Sequence, residues 1–94
     1  MPHVIVKSWP GKTPEAKQAL ADGIVRLVQE TLGVPRSSVS VGWEEIPREE
    51  WFEKAYRPDI LEKDAVLLVR PGYVPAEMTQ NEEGKKENGP PGSK

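Results

Sequence analysis

Pro2 directly follows the initiator methionine, and no other residue of this chain offers so specific a chemistry. Methionine aminopeptidases generally remove Met1 when proline comes next, which turns Pro2 into a free secondary amine held in a ring. An α-amino group has a reference pKa of roughly 7.7 to 8.0, and an apolar pocket or a neighbouring cation lowers it further. A depression of one unit, about 1.4 kcal/mol, leaves much of the amine unprotonated at neutral pH. Such a nitrogen can act as a general base. The plain alternative is structural: proline donates no ladder hydrogen bond and is tolerated at strand starts and edges, so Pro2 can sit at the mouth of a strand with no task.

The other reactive side chains are few. His3 is the single histidine. Consecutive strand residues point to opposite faces, which turns its imidazole away from Pro2 and leaves it without an assigned role. With no cysteine and one histidine, neither disulfides nor a conventional transition-metal cage is expected. The carboxylates, among them Glu15, Glu30 and Glu62, show no convincing acid–base pair and read as solvated helix charges. A net charge of −2, with Lys and Arg interleaved among Glu and Asp, gives no footprint for nucleic acid. No apolar run approaches the roughly 18 residues of a membrane span, and the N-terminus lacks the regions of a secretory signal. The expectation is a cytoplasmic protein.

The elements that must position Pro2 follow from periodicity. "HVIVKSW" reads as a strand from about His3 to Ser8, stopped by "PG". Thr13 suits a helix N-cap, Pro14 the first helical position and Gly33 the stop. Between them Ala16, Leu20, Ile24, Leu27, Val28 and Leu32 recur at helical spacing as the packed face, with Lys17, Asp22, Arg26 and Glu30 on the wet side. "SVSVGW" alternates Val39, Val41 and Trp43 against Ser40 and Gly42, a second strand with one packed face. Strand, helix and strand make a β-α-β unit of the α/β class. Two strands leave open edges, and a 94-residue chain lies near the lower end of independent stability, so oligomerisation is expected.

Pro47 opens a second helical start in "IPREEWFEKAY", and Pro58 interrupts it. "DILEKDAVLLVRPGY" is compatible with a helix or, through "AVLLV", a buried strand, and the helix is preferred because its apolar residues span more than two turns. From Val74 onward the chain is polar and rich in Pro and Gly. Residues 2–73 are therefore expected to form one domain, and 74–94 a disordered tail. No internal repeat is evident.

The segment "PHVIVKSWPGKTPEAKQALADGIVRLVQETLGVPRSSVSVGWEEIP", with the later "EEW" and "RPGY", resembles the tautomerase superfamily. The later "EEW" and "RPGY" look like the dimeric bacterial branch related to 4-oxalocrotonate tautomerase and tested on phenylpyruvate enol. The resemblance covers residues 2–73 and implies an α+β arrangement, a tautomerase-like β-α-β fold whose small sheet is completed by oligomerisation, a homodimer being favoured.

The implied activity is a cofactor-independent keto–enol proton transfer on small 2-oxo acid enols, with Pro2 as general base. Lys12 occupies the loop position of one family arginine, where a lysine supplies charge without the bidentate fork. The second family arginine falls at Ser40, and Arg36 stands four residues earlier as a possible substitute. Trp51 corresponds to an aromatic residue at the family pocket, whereas Trp43 belongs to the packed strand face. Two alternatives stay open: hydrolytic dehalogenation or hydration of unsaturated acids with protonated Pro2 as acid, and a non-catalytic oligomerisation or binding module.

Overall fold

In the computed structural model, which describes residues 1–78, strand β1 spans His3–Ser8, helix α1 Pro14–Leu32 and strand β2 Ser40–Glu45. The local signals act as the sequence implies. The Thr13 hydroxyl accepts the Ala16 N–H at 3.0 Å, Pro14 opens the helix, and Gly33 closes it in the left-handed region with its N–H donating to the Gln29 carbonyl at 2.9 Å. The two strands pair in parallel, His3 opposite Ser40 and Ser8 opposite Glu45. The ladder runs one rung past each end, from Ser40 N–H to the Pro2 carbonyl (3.1 Å) and from Ile46 N–H to the Ser8 carbonyl (2.8 Å).

Register fixes which side chains share a face. Val4 and Val6 lie with Val41 and Trp43 on the side of α1, where Pro14, Lys17, Gln18 and Ala21 join Val41 and Trp43 around a hollow of about 260 Å³. His3, Ile5 and Lys7 share the other face with Ser40, Gly42 and Glu44, and Ile5 stands 50% exposed there.

The packed stripe of α1 differs from the expected one. Val25 is the buried residue of the helix, and Leu20, Leu27 and Leu32 are exposed. Lys17 is not on the wet side: its ammonium pairs with Glu45 and lies 6.0 Å from the Trp43 ring centre. The helix is apolar on more than one flank, so spacing alone does not say which flank meets the sheet. The amphipathic lysine, its stem on apolar surface and its charge at Glu45, settles the orientation.

The described chain falls into two compact units, Met1–Trp51 and the part from Phe52 onward. In the first, the chain after β2 makes a 3-10 turn over Arg48–Glu50, closed by Glu50 N–H to the Pro47 carbonyl at 2.9 Å.

The second unit opens with a π-helix, Phe52–Leu61, that runs through Pro58. The expected interruption at Pro58 does not occur. Proline breaks an α-helix because it lacks an N–H and its ring meets the carbonyl four residues back. A wider turn with bonds five residues apart, as in Glu62 N–H to the Arg57 carbonyl (2.9 Å), relaxes that collision. Phe52, Ala55 and Tyr56 are buried, with Phe52 stacked on Tyr56 at 5.9 Å and Tyr56 tilted against Tyr73 at 5.7 Å.

The helix expected through "AVLLV" is likewise absent. A single 3-10 turn, Asp64–Val66, gives way to extended backbone at Leu67, and Leu68 is 97% exposed. Arg70 closes this segment through Nε to the Asp64 carboxylate (3.0 Å) and Nη2 to the Asp64 carbonyl (2.9 Å). That hydrogen bond, reinforced by the guanidinium charge, holds the Asp64 carboxyl below its ordinary value and raises Arg70. Of the expected tail, residues 76–78 form a helical turn with Met78 N–H bonded to the Pro75 carbonyl at 3.0 Å, and 79–94 lie outside the described residues.

Candidate active site

Pro2 sits half-buried at the start of β1, tied to β2 through its carbonyl, while Met1 before it is wholly exposed. While Met1 is attached, the Pro2 nitrogen belongs to a peptide bond and has no basic lone pair. Removal of the exposed methionine is what converts it to an amine. Beside it, His3 Nδ1 lies 2.6 Å from Ser40 Oγ. The backbone N–H of the same Ser40 reaches the Pro2 carbonyl. Sequence reading leaves His3 without a role and treats Ser40 only as a missing charge. Their pairing emerges once the register is known, because it joins residues 37 apart.

Arg36 opens a 3-10 turn, Arg36–Ser38, that leads into β2 at this same end of the sheet. Its Nη2 stands 3.7 Å from Asp22 Oδ1, which also accepts from Gln18 Nε2 at 2.9 Å. Both partners are well exposed, so the pair constrains Arg36 only weakly.

Lys12 and Trp51 belong to the opposite end. Lys12 follows β1 on the loop turned by Gly11 (φ +122°), exposed and without an ion-pair partner among the described residues. Trp51, half-buried, ends the turn that begins at Arg48, whose guanidinium lies 5.1 Å from the Trp9 ring centre. Trp43 takes its expected place in the packed layer, its indole N–H donating to Ser8 Oγ at 3.0 Å. The six residues of β1 span roughly 20 Å at about 3.3 Å each. One chain therefore places Pro2 and Arg36 at the start of the sheet and Lys12 and Trp51 at its far end.

Among the described residues, no three His, Cys, Asp or Glu side chains gather as a possible metal site, and no helix is long and apolar enough to cross a membrane.

The arrangement has known counterparts. Residues 2–54 match the family described as tautomerase enzyme. The chain is 42% identical over 73 residues to a probable tautomerase of Xylella fastidiosa, an alignment covering 78% of this chain and 89% of that protein. It is 35% identical over 74 residues to the tautomerase PptA of Cronobacter sakazakii, covering 78% and 97%. Among solved structures, TomN, a 4-oxalocrotonate tautomerase homologue in the tomaymycin biosynthetic pathway, aligns with a TM-score of 0.52 and 37% identity over 54% of this chain and 78% of TomN. The chain belongs to the tautomerase family, and the family match begins at Pro2.

Proposed function

We propose that the chain, once Met1 is removed, is a cofactor-independent tautomerase of small 2-oxo acid enols in which the Pro2 nitrogen is the general base. The observation that carries this reading is the placement of Pro2: first residue of the family match, half-buried at a strand mouth, with a freely accessible Met1 before it.

The proton count is simple. The neutral nitrogen takes the enol hydroxyl proton, the O–H electron pair becomes the second bond of the carbonyl at C2, and the C2–C3 double-bond pair accepts the proton back from the prolinium at C3. Nothing is oxidised and no water is consumed. A cation at the substrate carboxylate and the 2-oxygen favours the enolate-like transition state.

Lys12 is our candidate for that cation, Arg36 for a secondary one, and Trp51 for an apolar wall that excludes water. Because Lys12 and Trp51 lie at the far end of their own sheet, the reading requires them from a second copy of the chain, set against the first so that unlike ends meet. The open strand edges and the exposed Leu20 and Leu27 are consistent with such an assembly.

The test is ketonisation of phenylenolpyruvate by demethionylated protein. Pro2→Ala is expected to lose about 100-fold or more of kcat, the usual contribution of a positioned base. An unchanged rate in that variant would refute the mechanism.

A further inference from the structure

We propose that His3 and Ser40 act as a positioning pair that fixes the Pro2 ring for proton transfer, an inference that rests on Pro2 being the base. Proline has no backbone N–H, so Pro2 is joined to the sheet through its carbonyl, and the donor to that carbonyl is the N–H of Ser40 at 3.1 Å. This is the first rung of a two-stranded ladder, the place where such a sheet frays most readily. One residue further, the Ser40 side chain meets His3 Nδ1 at 2.6 Å. Ser40 thus grips two consecutive residues at the mouth of β1, Pro2 just before the strand through its backbone and His3, the first strand residue, through its hydroxyl.

Gly42, two residues along β2, lies beside the imidazole without crowding it: even an added Cβ would make only ordinary van der Waals contact, 4.0 Å from His3 Cε1 and 4.0 Å from Ile5 Cγ1. The charged groups on this face are Lys7 and Glu44, whose side chains pair with each other at 3.9 Å. The Ser40 hydroxyl both donates and accepts, so the contact does not depend on which tautomer the imidazole adopts.

Displacing a reacting group by about 1 Å from its attack geometry costs up to about 100-fold, and loosening a terminal rung is a milder disturbance. Ser40→Ala and His3→Ala are each expected to lower kcat for phenylenolpyruvate by about 3- to 10-fold, with KM changed less than about twofold, because neither residue is assigned to the substrate carboxylate. The double variant should be no slower than the slower single one, since both substitutions break the same bond. His3→Asn, which returns a polar group near the place of Nδ1, and Ser40→Thr, which keeps the hydroxyl, should recover most of kcat.

The experiment measures kcat, KM and the pH profile of these variants beside Pro2→Ala. Reduced kcat with rescue by the conservative variants and an unshifted acid limb supports the pair. A loss confined to KM, or wild-type kcat in both alanine variants while Pro2→Ala is inactive, overturns the positioning role and leaves the base in place. Wild-type kcat in Pro2→Ala overturns both.

Discussion

The two ends of the small parallel sheet are built differently. The starting end is clamped: Ser40 holds Pro2 through its backbone and His3 through its hydroxyl, and Arg36 is drawn toward Asp22 on α1. The far end offers side chains instead. Trp9 and Lys12 are exposed, Trp51 is half-buried, and Arg48 rests its guanidinium on Trp9. A base needs fixed geometry, whereas a carboxylate anchor needs a charge that can reach. The contrast teaches that a single chain holds the two halves of the proposed site about one strand length apart, so the proposed function requires a second copy of the chain.

Lys12→Ala gives the largest effect that separates the ends. Losing a charged hydrogen bond to the substrate carboxylate is expected to lower kcat/KM by about 10- to 100-fold, and Lys12→Arg should retain or improve it. Arg36→Ala, an exposed charge already shared with Asp22, should stay within about threefold of the parent. Mixing inactive Pro2→Ala with Lys12→Ala sharpens the contrast. In a symmetric dimer with sites shared between copies, random reassociation leaves about a quarter of all sites intact, and activity should return to that level. If mixing restores nothing, the two ends do not meet across copies.

The smallest effect lies in the second unit. Arg70 holds the Asp64 carboxyl below its ordinary value of 3.8 by a hydrogen bond and by its charge. A carboxyl with a depressed folded-state pKa contributes stability above the ordinary value and loses it as pH falls through the folded one. Acidification below about 3.8 should therefore lower the amide protection factors across 64–70, measured against the intrinsic exchange rate at each pH, without touching the tautomerase rate at neutral pH. Asp64→Asn should show the lowered protection already at pH 7.

The β-α-β frame is legible in the sequence because its signals are local. Thr13, Pro14 and Gly33 bound α1 within a turn of where they act, and alternation marks Val41 and Trp43 as packed. What depends on partners distant in the chain is not legible. The sheet-facing flank of α1 passes through Lys17, Ala21 and Val25, and Glu45, the ionic partner that turns Lys17 inward, lies 28 residues away. Pro58 and "AVLLV" mislead for another reason: the π-helix accommodates a proline that an α-helix would not, and apolar composition alone does not supply the hydrogen bonds of a helix. Of the site, Pro2 is visible from its position in the chain. The His3–Ser40 pair needs the register, which the sequence does not state.

The central claim is that the Pro2 nitrogen is neutral when the enzyme works, and direct titration by ¹⁵N NMR of the demethionylated, proline-labelled protein tests it. The account predicts a midpoint below the ordinary α-amino range of roughly 7.7 to 8.0, matching the acid limb of kcat/KM for the enol. A nitrogen that stays fully cationic to well above pH 8, or a rate that ignores its titration, would contradict the account.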